Sequence, residues 1–189
     1  MDSGIGFATK VDPALVERAK RKDTAAFAKL YQVYAKPCYN LVLRMTAQPA
    51  TAEDIVQEVF LKLMKRIGSF RGEAPFGAWL RRVTVNTTIN HMAKLKPMKL
   101  MGTDEEMYLQ HQARDEDYAL TGRPDLWSLL EGLPFRSRSV LVLHDIEGYT
   151  HREIADMFKQ TESFSKSLLA RTRAHLRKQV AVPGEEDGK

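Results

Sequence analysis

Apolar residues recur at steps of three and four along almost the whole chain, and that spacing restricts it to helices. Phe27, Leu30, Tyr31, Tyr34, Cys38, Leu41, Val42 and Met45 predict a helix over residues 24–46. Pro37 is expected to kink or split it, because proline lacks the N–H and its ring crowds the preceding turn. After a turn at Gln48-Pro49, Thr51 is the expected cap of a second helix, with Glu53 and Asp54 in a first turn that favours negative charge. Ile55, Val56, Val59, Phe60, Leu63 and Ile67 form its buried stripe, and Gly68 ends it. A third helix is predicted from about Phe76 to Lys94, stopped by Lys96-Pro97. The pattern lapses over 97–124 and restarts with Trp127, Leu129, Leu130 and Leu133, then Val140, Leu141, Leu143 and Ile146 after Pro134. Nothing reads as a strand and there is no internal repeat. The expected class is all-α: two small helical domains, 22–96 and 125–180, a flexible linker at 97–124, and a disordered tail at 181–189.

Residues 144–175 read as two short helices across a tight turn, the outline of a helix-turn-helix, which presents its second helix to the DNA major groove. Thr150 with Glu153 makes a capping box for the first helix, and Ile154, Ala155 and Phe158 take inward spacings. The second helix is expected to start at Thr161 or Ser163, with Leu168, Leu169, Thr172 and Leu176 inward. Lys166, Ser167, Arg171 and Arg173 are left for water or phosphate. A basic amphipathic helix is common on any protein surface, so this unit alone does not establish DNA binding.

Charge placement sharpens the point. Residues 60–100 carry nine Lys or Arg against one acid, 101–131 carry two against eight, and 132–180 carry nine against five. Two basic blocks around an acidic stretch suggest two modules facing a polyanion, with ordinary solvated helix faces as the competing explanation. The single Cys38 excludes an internal disulfide and reads as a buried structural thiol. No run approaches the ~20 apolar residues of a membrane span, and the first residues lack a signal-peptide pattern, so no membrane insertion and a cytoplasmic location are expected. There is no glycine-rich phosphate loop, HExxH, cysteine pair or GxSxG, and the five histidines fall without ligand spacing. No catalytic residue, metal site or cofactor is expected.

Two constellations stand out in the first block. Asp54, Gln57, Glu58 and Leu61 lie off the apolar stripe of their helix, a compact acid-and-amide patch suited to a basic protein surface; a solvated face is the alternative. The loop Phe70-Arg71-Gly72-Glu73-Ala74-Pro75-Phe76, followed by Trp79, sets aromatic rings beside cations, as unstacked single-stranded bases require. Arg82, Asn86, Asn90 and Lys94 then repeat at four-residue steps as one polar stripe, with Leu80 and Val83 turned to the core; asparagine amides suit base edges. Core packing competes as the explanation for Phe70, Phe76 and Trp79.

The order AEDIVQEVFLKL, FRGEAPFGAWLRRVTVN, linker, LPFRSRSVLVLHDIEGYTHREIADMF and basic helix resembles a bacterial RNA polymerase sigma factor of the small extracytoplasmic-function group of the sigma-70 family, over about residues 22–180. The resemblance implies a non-catalytic initiation subunit whose partners are core RNA polymerase, through its largest-subunit clamp and its flap, and promoter DNA, duplex and melted. It implies that Asp54, Gln57, Glu58 and Leu61 dock on the clamp. Phe70, Arg71, Gly72, Phe76 and Trp79 would capture a flipped base of the −10 element, and Arg82, Asn86 and Asn90 would contact that element where it melts. Arg152, Ser163, Lys166, Ser167, Arg171 and Arg173 would serve the −35 element. Members of the group are often held inactive by an anti-sigma protein. The chain departs from the family in its last helix-turn-helix, with Lys159 where a glycine is common and Ser165 and Leu168 where an apolar and a basic residue are usual. The competing function is a stand-alone helix-turn-helix regulator, which has no use for the DIVQEVF and FRG…W segments.

Overall fold

The computed structural model describes residues 6–95 and 126–180, and among these every regular element is helical. The expected linker at 97–124 and the tail at 181–189 lie outside the described residues. The chain divides into two compact units, Met1–Lys96 and Pro97–Lys189.

The first unit begins with α1 (Pro13–Lys20). Asp12 caps it, accepting from the Ala14 N–H at 2.8 Å, and Pro13 occupies the first helical position, where its missing N–H is not needed. This helix lies ahead of the expected domain start at residue 22, yet its Val16 and Ala19 are buried in the common core. It closes with Lys22 in the left-handed region, and Asp23 then caps α2 (Thr24–Thr46), accepting from Ala25 and Ala26 N–H at 2.9 and 3.0 Å. α2 is not split: it runs unbroken through Pro37, which is buried. Tertiary packing offsets the lost backbone hydrogen bond there. Thr51 is not a cap. α3 (Pro49–Arg66) starts three residues earlier, with Pro49 in its first turn and Gln48 as cap residue, so no acid sits in the first turn. A 3₁₀ turn (Ile67–Ser69) leads to the 70–75 loop and α4 (Phe76–Leu95).

Leu30, Tyr34, Cys38, Ile55, Val59, Leu63 and Leu80 form a fully buried centre. α4 contributes threonines to it where aliphatics would be usual. The Thr84 hydroxyl donates to the Leu80 carbonyl at 2.9 Å and Thr88 to that of Thr84 at 2.9 Å, so both polar groups are satisfied within the helix. Cys38 Sγ lies 3.3 Å from Thr84 Oγ1, and burial pushes the thiol up to about 12, as a structural rather than reactive cysteine requires. Ahead of α1, residues 6–11 strap across the start of α4. Phe7 stacks on Tyr34, and the Tyr34 hydroxyl donates to the Thr9 carbonyl at 2.7 Å. Gly77 makes the crossing possible, since a Cβ there would lie 1.9 Å from the Phe7 carbonyl oxygen.

The second unit comprises α5 (Leu126–Glu131), α6 (Phe135–Leu141) running on as a wider π-helical turn (Val142–Ile146), α7 (His151–Phe158) and α8 (Glu162–Val180). Leu133, Val140, Val142, Leu143, Ile154 and Leu168 are its buried centre, whereas Trp127 and Ile146 are exposed. Arg138 does not belong to the outward basic set. It is buried, donates to the Leu133 carbonyl at 2.6 Å, and desolvation lowers its pKa to about 10 despite the nearby Glu131.

Candidate nucleic-acid interfaces

The α7–α8 pair is built as the sequence pattern predicts. Thr150 Oγ1 accepts from the Glu153 N–H at 3.2 Å while the Glu153 carboxylate accepts from the Thr150 N–H at 2.9 Å, a complete capping box. α7 ends in a Schellman turn: the Gln160 N–H reaches the Ala155 carbonyl at 2.9 Å and the Lys159 N–H that of Asp156 at 3.3 Å. Lys159 therefore sits at φ 53°, the backbone position that explains why glycine is common there. Thr161 Oγ1 accepts from the Phe164 N–H at 3.2 Å and starts α8.

Around α8, Ser163, Lys166, Ser167 and Arg171 are exposed, as is Arg152 on α7. The unusual Ser165 and Leu168 are both fully buried, so the departure from the family pattern alters the inner face and leaves the outer set in place. Ser165 Oγ lies 3.0 Å from His151 Nδ1, and the His151 ring stacks on His144 at 4.4 Å between centroids, so these two histidines are gathered rather than scattered. Burial lowers the His151 pKa below its ordinary value, and the nearby charges of His144, Lys166 and Arg173 act in the same direction, opposed by Glu162. Arg173 is exposed but committed, its guanidinium gripping Asp145 through two hydrogen bonds, and Asp145 also meets His144 Nδ1 at 2.7 Å. Among the described residues no three His, Cys, Asp or Glu side chains gather as metal ligands would.

On the first unit, Asp54, Gln57 and Leu61 project from α3 to solvent, Leu61 at 60% exposure with Met64 beside it at 59%. Glu58 differs from them. It is half-buried between Lys62 Nζ at 2.7 Å and His91 Nδ1 at 2.9 Å, tying α3 to α4. Burial acts to raise its pKa, but the hydrogen bonds from Lys62 and His91 outweigh it and hold the carboxyl below its usual range.

The aromatic loop is divided in role. Phe76 is buried and packs on Tyr34 at 5.6 Å, so core packing accounts for it. Phe70 and Trp79 are half-buried, their rings 5.4 Å apart, each closing on Phe76 at 5.3 and 5.7 Å. Arg71, Gly72, Glu73, Ala74 and Pro75 form the exposed rim, Gly72 at φ 78°. Arg82, Asn90 and Lys94 are exposed along α4 with Asn86 half-buried among them, while Leu80 is buried and Val83 partly so. Sequence reasoning passed over His91, Asp145 and Lys20. The first two find partners 33 and 28 residues away, a distance that carries no local signal. Lys20, at the end of α1, places its ammonium 5.5 Å from the Phe70 ring centroid.

Comparison with known proteins agrees with this arrangement. Residues 30–97 match the family model for Sigma-70 region 2, and residues 123–176 that for Sigma-70, region 4. The ECF RNA polymerase sigma factor SigW of Bacillus subtilis is 31% identical, covering 87% of this chain and 94% of that protein. The RNA polymerase sigma-H factor of Pseudomonas aeruginosa is 28% identical, over 86% and 90%. In fold, the chain resembles the sigma factor RpoE solved with the anti-sigma factor NepR from Bartonella quintana (TM-score 0.55, 19% identity, 83% of this chain and 98% of that one). It also resembles CnrH in complex with the cytosolic domain of CnrY (TM-score 0.51, 22% identity, 87% and 94%). No helix among the described residues is long and apolar enough to cross a membrane. With region 2 and region 4 in order and a relative of this identity matched over nearly its full length, the chain belongs to the extracytoplasmic-function RNA polymerase sigma factors of the sigma-70 family.

Proposed function

We propose that the chain serves as an alternative sigma factor in the cytoplasm, directing core RNA polymerase to specific promoters and starting transcription without catalysis of its own. The observation that carries this reading is the succession, on one small helical unit, of an exposed acid-and-apolar face on α3, an aromatic loop, and the Arg82–Asn86–Asn90 stripe on α4, followed by a separate helix-turn-helix unit. Asp54, Gln57 and Leu61 are the proposed polymerase contacts. Phe70, Trp79 and the Arg71–Pro75 rim are proposed to take an unstacked −10 base, because a ring face stacks on any base and the neighbouring cation meets phosphate. Arg152, Ser163, Lys166, Ser167 and Arg171 are proposed to face −35 DNA in the major groove, with Arg173 bracing α8 through Asp145. An anti-sigma protein is the proposed inhibitory partner.

Run-off transcription with purified core polymerase on a pool of genomic fragments, with the start sites mapped, tests the whole reading. A stand-alone regulator would instead bind duplex DNA unaided and give no start sites. Arg71→Ala and Asn86→Ala test the melting role. Both should abolish transcription from a closed promoter and recover much of it on a template with a pre-opened −10 bubble. Stacking one base on an aromatic is worth roughly 1–3 kcal/mol, comparable to the few kcal/mol needed to extrude it from duplex DNA. Equal defects on both templates would remove melting from their role.

A further inference from the structure

Two segments far apart in sequence meet beside the aromatic loop. α1 packs against the 3₁₀ turn Ile67–Ser69, which brings the last turn of α1 to the base of the loop. Residues 17–23 and 65–73 together hold seven Lys or Arg against three acids. The acids are engaged: Glu17 with Lys20 at 2.6 Å, Asp23 with Arg18 at 2.7 Å, and Glu73 loosely with Arg71 at 3.9 Å. Arg21 and Lys22 are exposed and have no carboxylate partner among the described residues. The backbone fixes where they stand, because the Lys22 N–H bonds the Ala19 carbonyl at 3.0 Å and the Asp23 N–H that of Arg18 at 3.2 Å, closing a Schellman turn. Lys20 links the two segments, its ammonium lying over the Phe70 ring at 5.5 Å.

We propose that Lys20, Arg21 and Lys22 form a sequence-independent track for the phosphodiester backbone of single-stranded DNA next to the base held by the 70–76 loop. The patch lies ahead of the part of the chain that matches region 2, which begins at residue 30. A cation over the outer ring of an aromatic loop supports that ring and offers its remaining N–H groups to a phosphate one nucleotide away. Two further cations on a rigid turn continue the line. A single strand is favoured over duplex because the adjoining aromatic surface can be used only by an unstacked base. The inference rests on the proposed role of that loop, and its test separates the two.

The chain, assembled on core polymerase, is titrated with a short fluorescein-labelled oligothymidylate from about 50 to about 200 mM salt, with core polymerase alone as the blank. Each phosphate neutralised on a single strand contributes about 0.7 to the slope of log K against log salt. Arg21→Gln/Lys22→Gln should lower that slope by about 1.4 and weaken binding at low salt by roughly tenfold for each phosphate left without its cation, and Lys20→Met should lower the slope by about 0.7. Lys29→Gln, an exposed charge on α2, should leave it unchanged. Equal slopes for the wild type and the double variant would overturn the proposal, as would a Lys29→Gln effect of the same size per charge. So would weakened binding to core polymerase with DNA binding intact, which would make the patch a protein-binding surface. If Arg71→Ala and Asn86→Ala prove indifferent to a pre-opened bubble while the slope still falls in Arg21→Gln/Lys22→Gln, the loop reading fails and the track remains.

Discussion

Replacing Gly77 with alanine tests how the N-terminal strap is held. An added Cβ would lie 1.9 Å from the Phe7 carbonyl oxygen and 2.9 Å from its carbon, with Tyr34 Cε1 at 3.2 Å, and real Cβ contacts essentially never fall under 3.0 Å. Both close atoms are backbone, so no side-chain rotation relieves the clash, and the strap must retreat by more than an ångström. α4 cannot move instead, because Leu80 and Thr84 one and two turns on are fully buried. Retreat loses the Phe7–Tyr34 stack, worth roughly 0.5–1.5 kcal/mol, and the Tyr34 hydroxyl bond to Thr9, worth roughly 0.5–1.5 kcal/mol. The expected cost of Gly77→Ala is therefore about 2 kcal/mol, within the usual range for overpacking. Urea unfolding followed by Trp79 fluorescence, in a Trp127→Phe background so that the first unit alone is read, measures it. Deleting residues 1–11 should reverse the sign: with the strap gone, alanine becomes the better helix former by up to about 1 kcal/mol. A Gly77→Ala chain as stable as its parent, or one destabilised equally with and without residues 1–11, would refute the steric account.

Lys159→Gly should stabilise the second unit by about 0.5–1 kcal/mol, seen as a later urea midpoint, because glycine accepts the left-handed backbone that lysine adopts at φ 53°. The stability of the same unit should fall as pH drops below about 6.5. His151 binds its proton less readily folded than unfolded, so its contribution is present above the unfolded pKa and lost as pH falls through the folded one; His151→Gln should flatten that limb of a stability–pH curve. Asp54→Lys should weaken binding to core polymerase in a pull-down while shifting stability by no more than about 0.5 kcal/mol. Glu58→Gln should cost about 0.5–1 kcal/mol in thermal unfolding, through loss of the Lys62 and His91 pairs, discounted because all three groups are partly solvated. An Asp54→Lys chain that unfolds readily would move that residue from docking to structure.

Local rules made much of this protein legible from its residues. A 3.6-residue apolar period, the Thr150–Glu153 box and the run of motifs depend on neighbours a few positions apart, so helices, the helix-turn-helix and the family could be read directly. The inner face of α8 was also readable, since Leu168, Leu169 and Thr172 follow that period. Local rules failed wherever a distant partner decided the outcome. Pro37 stays inside an unbroken α2, because packing of the buried ring outweighs its intrinsic penalty. Glu58 and Arg173 look like free surface charges until His91 and Asp145 are brought beside them, and Lys20 has no evident role until α1 folds against the 3₁₀ turn. Helical periodicity is a property of adjacent turns, whereas the pairing of charges and rings depends on which turns the core brings together. The sequence by itself therefore determined the helices and their order; only the tertiary structure decided which polar groups bind one another and which side chains stay exposed.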